Sequence, residues 1–390
     1  MAEAKKLKIG ILTFYYAHNY GAVLQCYALQ QALKTSFPDA EVCVVDYENK
    51  KIKDDYKIFY LNKKNPYRFL RSLFGTFVYF FNRVKRSFVF HNFVKNNLNI
   101  GSSNFNDYDV IFYGSDQIWN PVIFADKKNP CLDKIYLGAG FAGKKIAYGA
   151  SDGNKLVLSE DVKELLNSFS AISVREKTLA KKLSLLDKTV SVVSDPVFLL
   201  SKEDWLKISV TPKEENYIFA YKIAENLNFD REVEASGEKL NKKVIQAVYV
   251  KSIKKIFCKK QKFVVAISPL EFIGYIANAD FVVTTSFHGT AFSCLFEKKF
   301  CVLKIKEGSE RITDLLNILG LENRYVESIS QITDFEEDIH NDRVKQKMND
   351  YKDKSRNWLS ESIGKTSGGG YKRIVFFFAT LQSLYGEAVA

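Results

Sequence analysis

Histidine is scarce in this 390-residue chain. Its four copies, His18, His91, His288 and His340, are widely separated and form no H-x-x-x-H pair, a pattern that speaks against a metal centre. Cysteine is sparse too. The six residues, Cys26, Cys43, Cys131, Cys258, Cys294 and Cys301, show no C-x-x-C spacing, and four lie in apolar surroundings, which fits free core thiols in a reducing compartment. No run reaches the ~20 consecutive apolar residues of a membrane-spanning helix. The opening MAEAKKLKIGIL passes into a strand pattern without the apolar region or cleavage site of a secretion signal. These absences predict a cytoplasmic protein. The first strand-to-helix turn lacks the G-x-G-x-x-G of a dinucleotide site, which argues against a nicotinamide cofactor. Finger spacings, an RNP-type aromatic motif and a single basic recognition helix are absent as well, which argues against nucleic acid.

What is present is length enough for two or three domains and a formal net charge of +12. With nucleic acid set aside, that charge points to an anionic membrane surface or a polyanionic small substrate. Strands and helices alternate along the chain. Lys6 to Phe14 and Val42 to Tyr47 read as strands around the helical stripe of AVLQCYALQQALK, a βαβ opening whose helix start carries Asn19 and Gly21. Further strands run Asp109 to Tyr113, Ile146 to Gly149 and the ISV before Arg175. Each ends in small polar residues: GSDQIWNP with Asp116 and Gln117, then Ala150 to Gly153 with Asp152, then Arg175 itself. Such exits are where open α/β sheets bind ligands. Asp116 and Gln117 suit a sugar hydroxyl or a turn cap equally. Arg175 offers a planar fork for a carboxylate or phosphate, or else a salt bridge to Glu176.

Residues 51 to 100 interleave lysine and arginine with tyrosine and phenylalanine, a composition that suits an anionic membrane surface or a lipid-linked substrate, or else an ordinary helical core face with solvated lysines outside. The polar stretch Ser201 to Glu215 separates a first domain, 1–200, from a second, 214–340. In the second the rhythm restarts with YIFAYK, VIQAVYV, FVVAIS, a helix opened by the Ser268/Glu271 capping box, FVV, FCVLKI and RITDLLNILGL. A charged helix, Asn341 to Ile363, is expected to cross back to the first domain, and the tail to 390 follows no pattern.

The stretch that organises the chain is Asn278 to Lys299, NADFVVTTSFHGTAFSCLFEKK. Phe281 to Val283 form a buried strand, polarity switches at Thr284, and helical spacing resumes at Ala291. A helix start at a strand's carboxyl end presents unpaired N–H groups that favour an anion. Ser286, Gly289 and Thr290 would line such a phosphate seat with His288 in its middle. The plainer alternative makes Ser286 or Thr290 a helix cap and His288 a structural histidine.

Taken in order, NYGAVLQCYALQ, GSDQIWNP, ISVREKT, SDPVFLL, SPLEFIGYIANADFVVTTSFHGTAF and RITDLL resemble the polysaccharide pyruvyl transferase family over roughly residues 7 to 325. The resemblance implies an α/β fold of two Rossmann-like domains facing a cleft, GT-B-like. It implies transfer of the enolpyruvyl group of phosphoenolpyruvate onto two hydroxyls of a sugar in a surface or capsular polysaccharide precursor, giving a pyruvate ketal and phosphate, with no cofactor beyond that donor. In these terms His288 would be the general acid and Arg175 the donor's clamp, with Ser286, Gly289 and Thr290 as phosphate donors and Asn19, Asp116, Gln117 and Asp152 as acceptor contacts. The acceptor could be linked to polyprenyl diphosphate, and the work done at the inner face of a membrane. The competing readings are a glycosyltransferase that uses a nucleotide sugar, and a non-catalytic glycan- or membrane-binding protein.

Overall fold

The computed structural model describes residues 6–58, 65–125, 130–186, 188–249, 260–335, 337 and 339–364, with the backbone alone over 66–78. Among the described residues, twelve strands divide into two parallel six-stranded sheets. The first takes β1 (Lys8–Leu12), β2 (Glu41–Val44), β3 (Val110–Tyr113), β4 (Lys144–Ala150), β5 (Ala171–Val174) and β6 (Val190–Val192) in the order β2-β1-β3-β4-β5-β6. The second takes β7 (Tyr217–Tyr221), β8 (Lys243–Val248), β9 (Gln261–Val265), β10 (Phe281–Thr284), β11 (Lys299–Leu303) and β12 (Tyr325–Val326) in the order β12-β11-β10-β7-β8-β9. These strands are apolar and β-branched because helices cover both faces of a parallel sheet.

The helices are α1 (Tyr20–Ser36), α2 (Lys50–Asp55), α3 (Pro66–Asn97), α4 (Glu160–Asn167), α5 (Lys177–Leu183), α6 (Lys202–Ile208), α7 (Phe229–Leu240), α8 (Pro269–Ala277), α9 (Phe287–Leu295), α10 (Glu310–Leu319) and α11 (Asp342–Ser362). Strand order reverses between β1 and β3 in one sheet and between β7 and β10 in the other. Crossovers leave in opposite directions at such a point, so a crevice opens at the carboxyl ends of those strands. GSDQ follows β3 and SFHG follows β10, so both polar turns belong to switch points.

The two halves share one apolar seam. Tyr20 of α1 stacks on Phe272 of α8 with ring centroids 4.4 Å apart, and Val23 and Leu24 join Trp205, Phe272 and Phe292 in one buried cluster. Helix α11 crosses back as expected. Its first half places Val344 and Met348 in that seam, and its second half places Leu359 against Ile9, Ile11 and Phe112 of the first sheet. Polar ties reinforce the second contact: Ser355 Oγ accepts from Ser194 N at 2.8 Å and Tyr351 donates to Val193 O at 3.2 Å.

Cys26, Cys43, Cys294 and Cys301 are buried free thiols and Cys131 is exposed, while Cys258 lies outside the described residues. The tail beyond 364 lies outside them too, as do Phe59, Tyr60, Lys63 and Lys64 of the basic aromatic segment. No helix of the described residues is long and apolar enough to cross a membrane.

Candidate active site

A cleft of about 860 Å³ opens between the two sheets. Asn19, Asp116, Gln117 and Asn120 stand on the wall of the first domain, and Thr285, Ser286, Phe287, His288 and Arg311 on that of the second. The SFHG turn is built to open a helix. Ser286 sits in extended backbone as the N-cap of α9, and its Oγ accepts from Gly289 N at 3.2 Å. That bond consumes the third amide of the helix. By helix geometry the amides of Phe287 and His288 have no intrahelical acceptor, and both residues line the cleft.

Of the three expected phosphate donors, only Ser286 borders the cleft. Thr290 is fully buried and donates to Ser286 O at 3.0 Å. Gly289 packs on Thr284, where a Cβ would fall 2.5 Å from Oγ1. Cap and seat are therefore one arrangement: Ser286 serves as the cap and still borders the cleft.

His288 lies at the domain boundary. Its ring rests on Gly21 of α1, so closely that a Cβ there would fall 1.9 Å from Nδ1. Its Nε2 stands 3.4 Å from Asp195 Oδ2, within ion-pair range but without hydrogen-bond geometry. Asp195 opens the turn after β6, where its other oxygen accepts from Val197 N at 3.0 Å. Burial opposes ionisation of Asp195, yet His288 and Arg175 together hold its carboxyl well below the usual carboxylate range.

Arg175 departs from the clamp expected of it. Its side chain is 2% exposed, pairs with Asp195 on one side and reaches Asp116 at 3.5 Å on the other, and does not line the cleft. The salt bridge to Glu176 is not the partner found either. Arg311, in the first turn of α10, does line the cleft, as does Lys155; Arg311 Nη1 stands 3.8 Å from Asp116 and Nε 3.9 Å from Glu176. The Phe287 ring lies 5.3 Å from the Arg175 guanidinium and 5.6 Å from that of Arg311. Glu176 is buried and bonded to Ser151; burial pushes its carboxyl up, and Arg175, Arg311 and Ser151 work against that rise. Asp195, Arg175, Asp116, Arg311 and Glu176 thus form a continuous run of alternating charge under and beside the cleft, with His288 beside Asp195.

Among the acceptor candidates, Asn19, Asp116 and Gln117 border the cleft. Asn19 also caps α1, accepting from Gly21 N at 2.9 Å, and Gln117 holds Asn120. Asp152 is corrected to a structural role. It is 1% exposed, its oxygens accept from Asn154 N and Leu156 N, and Lys182 pairs with it at 2.6 Å. Both carboxylate oxygens are used in closing that turn, so none faces a ligand. No group of three His, Cys, Asp or Glu side chains able to hold a metal occurs among the described residues.

Arg311, Asp195 and Glu176 are site residues that sequence reading did not single out. The signals were there: an arginine at the start of the RITDLL helix, and the aspartate of SDPVFLL.

The sequence model of the polysaccharide pyruvyl transferase family matches residues 19–307, a span that contains the wall from Asn19 through His288. The chain belongs to that family. No curated protein matches the sequence. Among solved structures, this family member is similar to a Listeria monocytogenes protein assigned as a UDP-N-acetylglucosamine 2-epimerase, with 10% identity, a TM-score of 0.50 and coverage of 93% of this chain and 98% of that one. It is also similar to the glycosyltransferase SnogD from Streptomyces nogalater, with 12% identity, a TM-score of 0.41 and coverage of 92% and 100%. The family member has the expected GT-B-like fold, two Rossmann-like domains facing a cleft.

Proposed function

We propose that the protein transfers the enolpyruvyl group of phosphoenolpyruvate to a saccharide acceptor and closes it into a pyruvate ketal. One observation carries this reading: Arg311, His288 and the open amides of α9 share one wall of the cleft, facing Asp116 and Gln117 across it. Phosphoenolpyruvate packs about three negative charges into a small volume. A guanidinium and a helix N-terminus side by side match that density.

In this reading Arg311 takes the donor's carboxylate or phosphate, while the amides of Phe287 and His288 and the Ser286 hydroxyl take the remaining oxygens. Arg175 holds Asp195 and Asp116 in place beneath them. Protonated His288 delivers its proton to C3, the C2–C3 double bond is consumed, and C2 becomes cationic. A sugar hydroxyl adds at C2 and returns a proton to the imidazole. A second hydroxyl then forms the other C2–O bond as the bond from C2 to the phosphate oxygen breaks, and phosphate leaves carrying the proton that this hydroxyl gives up. Asp195 supplies the counter-charge that an imidazolium at His288 requires, and a bound dianion on the other side reinforces it.

Calorimetric titration with phosphoenolpyruvate and, separately, with UDP tests the donor. Phosphoenolpyruvate is expected to bind wild type, and Arg311→Ala to weaken it by about 2 kcal/mol or more, as for loss of a charged hydrogen-bond partner. Binding of UDP without phosphoenolpyruvate would replace this reading with that of a nucleotide-sugar glycosyltransferase.

A further inference from the structure

Helix α3 carries a feature that the cleft does not use. Its sequence includes Arg68, Arg71, Arg83, Lys85, Arg86 and Lys95 and no aspartate or glutamate. The inward face is committed to packing. The Arg86 guanidinium lies 5.1 Å from the Tyr56 ring and 4.1 Å from that of Tyr249, and it donates to His18 O at 2.6 Å. Phe90 stacks on His18 and Tyr20. These contacts fix which side of the helix points away.

The side that points away is apolar where it should be polar. Phe81, Val84 and Phe88, spaced three and four apart, are 80%, 37% and 63% exposed. Lys95 is exposed at the same helical phase, as is Lys85, whose ammonium donates to Val265 O at 2.9 Å. Whatever covers this stripe must accept two aromatic rings and answer a helix with no negative charge. A bilayer containing anionic lipid does both, taking rings at headgroup depth and lysines at its phosphates.

The helix that carries the stripe also touches, on its inward face, the loop beside the cleft. Arg86 holds the carbonyl of His18, and the next residue, Asn19, borders the cleft. A protein seated on this face would hold its cleft near the lipid surface.

We propose that Phe81, Val84 and Phe88 dock the protein on an anionic bilayer, with Lys95 against lipid phosphates. This narrows the expected membrane contact to one face of one helix, and it holds whichever donor the cleft takes. The test is flotation of the full chain with vesicles of phosphatidylcholine alone or with about 30% phosphatidylglycerol. The chain is expected to float with the anionic vesicles only and to be released by high salt. The double variant Phe81→Ser/Phe88→Ser should partition about tenfold less or weaker still, with an unchanged circular dichroism spectrum. Lys95→Glu should lower anionic binding while leaving the rings in place. Equal flotation with both vesicle types, or undiminished flotation of the double serine variant, would overturn the proposal. So would light scattering in which the serine substitutions convert a dimer into a monomer without lipid, because the stripe would then be covered by a second copy.

Discussion

At the scale of single residues, the site is decided by where charge is buried. Asp195 and Glu176 are both buried carboxyls, but their neighbours push them in opposite directions. Asp195 faces Arg175 and His288, so its carboxyl is held low, while for Glu176 burial outweighs Arg175 and Arg311 and the carboxyl is raised. The signs follow by linkage. A depressed carboxyl contributes stability above its unfolded value, near pH 4, and loses it as pH falls towards the folded value. A raised one contributes its stability below that unfolded value and loses it as pH climbs through the folded value. Asp195→Asn should therefore cost about 3 kcal/mol at pH 7, because Arg175 loses its closest counter-charge in the interior. Glu176→Gln should cost far less at pH 7 and should raise stability at pH 7 relative to pH 4, because it removes a group whose contribution is lost as pH climbs. Urea unfolding at the two pH values checks both. Equal losses for the two variants at pH 7 would mean that the run of alternating charge does not distinguish them. On the proposed mechanism Asp195 acts through His288 as a positioning residue, so Asp195→Asn should also lower kcat more than it raises KM for the donor.

Among the secondary-structure elements, two helix N-termini meet at His288. Helix α1 presents Gly21 and α9 presents the histidine, and no Cβ fits between them. Glycine in the first turn of a helix ordinarily costs about 0.5–1 kcal/mol against alanine, so its presence here serves the contact and not the helix. Gly21→Ala should displace the imidazole, and on the proposed mechanism kcat should fall about a hundredfold, the scale of a lost general acid. A variant with wild-type turnover would show that the ring position does not matter. Much at this scale was legible from the chain: the strands announce themselves by β-branched runs that end in small polar residues, and SFHGT by a polarity switch between strand and helix. The pairings were not. Asp195 meets His288 across 93 residues and Arg311 meets Asp116 across 195, and nothing local to SDP or RIT says which charge each will face. Arg175 misled for the same reason. Its junction position is that of a ligand clamp, but the turn after β6 places Asp195 against it first.

For the molecule as a whole, two nearly separate sheets are made into one cooperative unit by the seam around Tyr20 and Phe272 and by α11. Leu359 sits 1% exposed beside Ile9, Ile11 and Phe112, at the far end of a helix whose other end packs in the seam. Truncation there empties a packed site in the first domain only, and Leu→Ala changes of this kind cost about 2–5 kcal/mol. If the domains were independent, the loss would stay in the first sheet. Coupling through α11 and the seam predicts that it is shared: in Leu359→Ala, the slowest-exchanging amides of β3 and of β10 should lose protection by the same free energy. Trp119, buried in the first domain, and Trp205, buried in the seam, should report one unfolding midpoint. Loss of protection confined to β1, β3 and β4 would show that the strap only rests on the first domain. The relative position of Gly21 and His288, one from each side, would then depend on the seam alone.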